Sequence, residues 1–440
     1  MVISVIILLL FIGMAFLMMK NKVPTILALP ILAVLIAAVA RVPFYGENGI
    51  MNVVFEAGAL RMSNAIVALM VGAWLGELMN HMGVSKTIIR TAAELGGDKP
   101  LLVTILLSIA MVVIYTTISG LGSVIMIATI AVPIMISVGV KPLTAIVVFI
   151  FSYGTGLTIN MTQWTYFTSV TGVPIESVRA FAFTMFALTA VSTLLFILIS
   201  FKRDGMKFSW AADDQPGGGL PSAAEEDPEF VKPPMISLLT PLIPIVLVMV
   251  FKFTILTALF SGMLYCFLTV WLCRPQRKKN LKKLVGYFTK AAIDGVNDSA
   301  IGVVVMIGIG MLVSALTHPD VSDALTSTMS SILPSGKLGF VLFFAVLAPL
   351  ALYRGPMNIW GLGGGLATLI ITMNVLPAVA VMCAFLSCER VQVLSDPTNT
   401  YCVWLSNYVG TDTNQILKKT LPFSWSLAIL GVVLTTLLWF

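Results

Sequence analysis

The sequence predicts an all-α polytopic membrane protein folded as an inverted repeat, with five crossings and one re-entrant hairpin in each half. Three observations carry this expectation. Of 440 residues, 58% are hydrophobic and only 10% charged, with mean hydropathy +1.00, whereas a soluble domain carries about 25% charged residues. The apolar residues run on for about 20 positions at a time, as membrane-crossing helices require, rather than alternating as barrel strands do. Gly, Pro and charged residues interrupt these runs at two corresponding places, Ser119–Gln163 and Arg354–Tyr401. Hydrocarbon offers free backbone groups no partner, so such interruptions persist only inside protein or beside a wet cavity.

Uninterrupted spans are expected near 2–19, 23–40, 62–82, 178–201, 236–251, 253–273, 299–317 and 421–440. The first reads as a retained span, because Lys20 and Lys22 follow its apolar run and no small-residue cleavage site is evident. Two further crossings, 142–170 and 377–405, carry polar breaks. The stretches 101–139 and 337–374 are too long for one helix and hold Gly-rich breaks, so both read as hairpins with tips at Ser119–Ser123 and Gly355–Gly365. Segments 84–96 and 280–296 interleave Lys and Arg with apolar residues, as interfacial helices do. The stretch 203–235 contains Pro216-Gly217-Gly218-Gly219 and Glu225-Glu226-Asp227. It reads as a cytoplasmic linker between an N-terminal repeat, 1–202, and a C-terminal one, 236–440.

The halves align at an offset of 235 residues, pairing Gly120 with Gly355, Pro142 with Pro377 and Tyr166 with Tyr401. Odd crossing numbers place such repeats in opposite orientations, an arrangement common among secondary transporters. The net charge of +6 arises from Lys and Arg in short loops, which speaks for the positive-inside rule and against nucleic acid as a partner. Most of these residues are cytoplasmic if both termini lie outside. The first hairpin then returns to the cytoplasm and the second to the exterior. The five cysteines form no CxxC pair and read as small buried hydrophobes. No HExxH, P-loop or paired-aspartate motif points to an enzyme or cofactor. His81 and His318 sit near span ends, and no metal site is expected.

The candidate substrate-binding residues of the first half are Ser119, Gly120, Gly122 and Ser123 at the hairpin tip and Gly154, Thr155 and Asn160 in the broken crossing. Hydroxyls and free carbonyls suit a cation, and half-helix N-termini suit an anion; the alternative is close helix packing through small residues. The second half adds Arg354, Gly355, Asn358, Gly363, Arg390, Thr398 and Asn399. Glu389, Asp396, Ser152, Thr158 and Ser395 are the candidate coupling-ion residues. Charges at membrane depth are costly unless paired or hydrated, and the Arg fork matches a carboxylate. Helix neighbours one apart do not face each other, so Glu389 and Arg390 are expected to point in different directions, one structural and one toward the cavity. The alternative is an internal ion pair that neutralises Arg390 or Arg354.

The order Gly76-Glu77-Leu78-Met79-Asn80-His81-Met82-Gly83-Val84, amphipathic helix, Ser119-Gly120-Leu121-Gly122-Ser123, Gly139-Val140-Lys141-Pro142 and broken helix resembles the ion transporter superfamily. That group includes citrate–metal symporters, divalent-anion symporters, gluconate permeases and TRAP large subunits. The resemblance implies a scaffold part and a mobile transport part, often in a homodimer, with substrate between two hairpin tips and two broken helices. The expectation is a secondary active transporter of a small organic anion, a carboxylate, coupled to H⁺ or Na⁺ in the bacterial cytoplasmic (inner) membrane. A cation/proton antiporter on the same architecture and a membrane subunit that needs a partner protein are the alternatives.

Overall fold

The first half begins with α1 (Val2–Met19) and α2 (Thr25–Val39). A π-helix (Ile50–Ala57) then continues through α3 (Gly58–Leu60) toward α4 (Ser63–His81). The computed structural model describes residues 2–20, 22–204, 232–273, 281–334 and 336–440, and every regular element among them is helical. Gly83, at φ +76°, turns the chain into α5 (Val84–Gly96), the separate amphipathic helix expected there. Next come α6 (Pro100–Tyr115), α7 (Leu121–Ser137), α8 (Pro142–Thr158), α9 (Met161–Thr171) and α10 (Ile175–Asp204). Most of the expected linker, with its Gly-rich and acidic runs, lies outside the described residues.

The second half opens with a 3-10 helix (Met235–Leu242), α11 (Ile243–Met249), α12 (Ile255–Leu272), α13 (Leu281–Thr317) and α14 (Pro319–Ile332). It continues with α15 (Lys337–Leu347), a second 3-10 segment (Ala348–Arg354), α16 (Leu362–Thr372), α17 (Ala378–Ser395), α18 (Thr400–Tyr408) and α19 (Thr413–Trp439). Asp412 starts α19 by accepting the Asn414 N–H at 3.0 Å, and this bond holds its carboxyl below the usual range. Among the described residues, eight helical runs are long and apolar enough to cross a membrane, or nine if one bent pair counts as a span. The chain is an integral membrane protein.

Several expected boundaries need correction. The expected interfacial helix 280–296 and span 299–317 are one helix, the 37-residue α13. At 1.5 Å per residue it is about 55 Å long, well beyond the roughly 30 Å of hydrocarbon. Its small residues let neighbours close in: a Cβ on Gly295 would meet the Trp74 backbone at 2.6 Å. The expected spans 23–40 and 236–251 shorten to Thr25–Val39 and Met235–Met249, both below the length of a full crossing. The latter begins as a 3-10 helix with Pro241 inside it. The corner helix α14 was not anticipated.

Both interrupted stretches near 101–139 and 337–374 fold as paired helices around a non-helical tip. Their architecture differs. The first tip is short, between Tyr115 and Leu121. The second arm entering Gly355 loses helical geometry at Leu352 and Tyr353, and Tyr353 and Arg354 take φ +53° and +56°. The two broken crossings also differ: α8 and α9 meet at 61°, whereas α17 and α18 pass together as one run. Nearly every residue of α8 after Leu143 and of α17 after Val379 is buried. Helices buried all round are enclosed by other helices, so both breaks sit in the interior of the protein.

Candidate functional site

The first break is organised by Asn160. Its Oδ1 accepts from Thr162 N at 3.0 Å and Thr162 Oγ1 at 2.6 Å, opening α9 with an Asx turn. Its Nδ2 donates to the Tyr115 and Ile118 carbonyls at 3.1 and 3.3 Å, the unpaired end of α6 at the first tip. Trp164 Nε1 donates to the Thr158 carbonyl at 3.1 Å. Two side chains thus satisfy backbone groups that hydrocarbon would leave bare.

The second break repeats this turn with a carboxylate. Asp396 Oδ1 accepts from Thr398 N at 2.9 Å and Thr398 Oγ1 at 2.7 Å, and Oδ2 accepts from Arg354 N at 3.4 Å. Asn399 Nδ2 donates to the Gln392 carbonyl at 2.8 Å, and Tyr401 Oη donates to the Val393 carbonyl at 2.6 Å. Asn160 and Thr162 therefore correspond to Asp396 and Thr398 at an offset of 236. The sequence alignment at 235 misses this pairing by one residue.

Between the breaks, α8 and α17 cross at Gly154. Arg390 donates from Nη1 to the Gly154 carbonyl at 2.8 Å and from Nη2 to Glu389 Oε2 at 2.6 Å. Glu389 Oε1 accepts from Trp360 Nε1 at 3.0 Å, and Trp360 stacks on Tyr166 with ring centroids 3.7 Å apart. Both charged residues are 1% exposed. The expectation that they point apart is corrected: the two long side chains bend together, with the guanidinium bridging the Gly154 carbonyl and Glu389. A Cβ on Gly154 would lie 2.5 Å from Leu394.

Arg354 differs from Arg390. It lines a cavity of about 320 Å³ with Thr398, Thr25 and the apolar side chains of Met18, Ile301 and Val305. Among the described residues no carboxylate lies within ion-pair distance of it. Its guanidinium is the unneutralised charge of the second tip.

The remaining predicted residues divide. Gly120, at φ +106°, turns the first tip, and Ser123 Oγ donates to its carbonyl at 2.9 Å. Ser119 and Gly122 complete that tip. Gly355, Asn358 and Gly363 shape the second: Asn358 Nδ2 donates to the Ala351 carbonyl at 3.3 Å, and a Cβ on Gly363 would meet the Asn358 backbone at 2.6 Å. Ser152, Thr155 and Ser395 are spent on packing, against Ser108, Thr193 and Ser424 at 2.7, 2.9 and 2.7 Å. Thr158 Oγ1 donates to the Thr155 carbonyl at 2.6 Å.

Sequence reasoning missed Asp298 on α13. Its carboxylate accepts from the backbone N–H groups of Gly122 and Ser123 and occupies the space a Gly122 Cβ would fill. Asp294, one turn earlier, is 2.8 Å from His81 Nε2, and Glu77, His81 and Asp294 bring ligand atoms within 4.8 Å of one another. The signal was the Asp294/Asp298 pair, four residues apart and just before the expected span at 299–317. Extending the span N-terminally would have exposed it.

No family model and no curated protein matches the chain. Its fold is similar to the crystal structure of the Alcanivorax borkumensis YdaH transporter, which is described as having an unusual topology. The TM-score is 0.61 at 13% identity, over 98% of this chain and 97% of that one. At such identity the likeness speaks for the fold.

Proposed function

We propose that the protein is a secondary active transporter of a small organic anion, a carboxylate, coupled to H⁺ or Na⁺. The observation that carries this reading is Arg354: an unpaired guanidinium at a hairpin tip, facing a cavity beside a broken helix. Its planar fork matches a carboxylate, and the apolar remainder of the cavity suits the carbon body of an organic acid. The antiporter reading requires both Arg354 and Arg390 to be neutralised by acidic partners, which holds for Arg390 but not for Arg354. The matched Asx turns support an inverted repeat in which the two tips enter from opposite faces, and the Lys and Arg of the short loops support both termini outside. Hairpins would move against a scaffold of α2, α4 and α13 to give alternating access. The likeness to a solved transporter is consistent with this. Asp396, which touches the Arg354 backbone, is the carboxylate best placed to carry a coupling ion. Uptake into proteoliposomes screened over carboxylates, with imposed pH or Na⁺ gradients, tests the reading. Accumulation of none of them under either gradient would reject it.

A further inference from the structure

A separate cavity of about 850 Å³ lies where the π-helix and α3 meet the corner between α13 and α14. Arg61, Ser314, His318, Asp320 and Asn48 line it. His318 is 7% exposed, with Nε2 3.1 Å from the Asn48 carbonyl. A carbonyl only accepts, so Nε2 carries a hydrogen, and in the neutral ring Nδ1 then presents a bare lone pair. That Nδ1 is buried without a hydrogen-bond partner. The nearest carboxylate oxygen, Asp320 Oδ2, stands 3.7 Å away and is also an acceptor. Beside the neutral ring these two acceptors favour a donor between them, and the buried ring nitrogen left without one is costly. Arg61, by contrast, has donors and no carboxylate within ion-pair distance among the described residues.

We propose that this cavity binds a small zwitterion, its ammonium between His318 Nδ1 and Asp320 and its carboxylate on Arg61. A simple anion would satisfy Arg61 but leave the two acceptors facing each other. A simple cation would do the reverse. A solute carrying both charges answers both halves of the wall at once, and the volume falls in the range of small-molecule sites. The site stands apart from both hairpins and does not depend on the transport reading.

Calorimetric titration of the purified full-length protein in detergent tests this, with 4-aminobutyrate and 6-aminohexanoate as probes and butyrate and butylammonium as controls. The expected result is saturable binding of at least one zwitterion, weakened at least tenfold by both Arg61→Gln and Asp320→Asn. Arg61→Lys, which keeps the charge, should fall between. The Asp320 side chain is 56% exposed, so its amide variant should keep the fold, checked by an unchanged unfolding temperature. Absence of saturable zwitterion binding would overturn the proposal. Butyrate binding as tight as that of the zwitterions, or zwitterion binding indifferent to Asp320→Asn, would do so equally.

Discussion

Asn160 and Asp396 build the same Asx turn at the two breaks, each accepting from a threonine two residues on, but they meet opposite backbone groups. Asn160 donates from Nδ2 to two carbonyls of the first tip, whereas Asp396 accepts the Arg354 N–H of the second. An amide can face carbonyls and a carboxylate cannot. Asn160→Asp should therefore lose two hydrogen bonds, each about 1 kcal/mol, and set a buried charge against two carbonyl dipoles. A drop in unfolding temperature relative to Asp396→Asn checks this, because the latter keeps the acceptor for Thr398. Asp396→Asn should leave substrate exchange measurable but abolish pH-driven accumulation if Asp396 carries the coupling proton. Unchanged pH-driven uptake would remove that role.

Glu389 and Arg390 form a closed pair, so their neutralisation should be read first as a stability effect. Removing one partner of a buried pair costs about 3–5 kcal/mol, while replacing both with apolar side chains is often neutral. Glu389→Leu and Arg390→Met should each lower the unfolding temperature markedly, and the double variant should recover most of the loss. Equal, additive losses would mean that the pair is not coupled.

The contact between Asp298 and Gly122 predicts a suppressor. Gly122→Ala would place a methyl where the carboxylate sits, displacing the cap of α7 at roughly 0.5–2 kcal/mol. Shortening the opposing side chain with Asp298→Gly relieves the clash, so the double variant should unfold at a higher temperature than Gly122→Ala. A double variant that unfolds lower still would place the strain elsewhere.

Most of the helix inventory was legible because span length and breaker residues follow from solvent physics alone. The breaks near 119–123 and 355–365 stood out through glycine and proline, but the non-helical tips are 116–120 and 355–361; Leu121–Ser123 open α7, and Gly363, Gly364 and Gly365 lie inside α16. The pairing of side chains was not legible. Span length says nothing about which neighbour a guanidinium reaches, and the Gly154 carbonyl comes within reach of Arg390 only once α8 and α17 pack together. The length of α13 was misjudged because Lys282, Lys283, Lys290, Asp294 and Asp298 look interfacial. In the fold the two aspartates are held by His81 and the α7 N-terminus.

Re-entrant hairpins entering from opposite faces, as proposed for the two tips, make a labelling prediction. In a background with Cys273, the exposed cysteine, replaced, Asp98→Cys and Lys141→Cys flank the first hairpin and should both react from the cytoplasmic face. Gly336→Cys and Asn374→Cys flank the second and should both react from the exterior. Reaction of either pair from opposite faces would convert that hairpin into a crossing.

Arg354 is the residue on which the anion reading depends most. It follows a backbone kink, φ +53° at Tyr353 and +56° at Arg354 itself, and left-handed geometry at non-glycine residues is a form of strain retained where surrounding structure demands it. The kink turns the guanidinium into the cavity while its own N–H is held by Asp396. Arg390, by contrast, has its two terminal nitrogens on the Gly154 carbonyl and Glu389. A charge-assisted hydrogen bond is worth about 1.5–3 kcal/mol, so removing it should weaken anion binding roughly tenfold to hundredfold at about 1.4 kcal/mol per decade. Arg354→Ala should keep its unfolding temperature, because no described carboxylate is left unpaired, and should raise the half-saturating anion concentration by that factor. Arg354→Lys should recover part of the loss, keeping the charge without the planar fork. Unchanged half-saturation in a folded Arg354→Ala protein would move the anion from the second tip to the helix N-termini of the first.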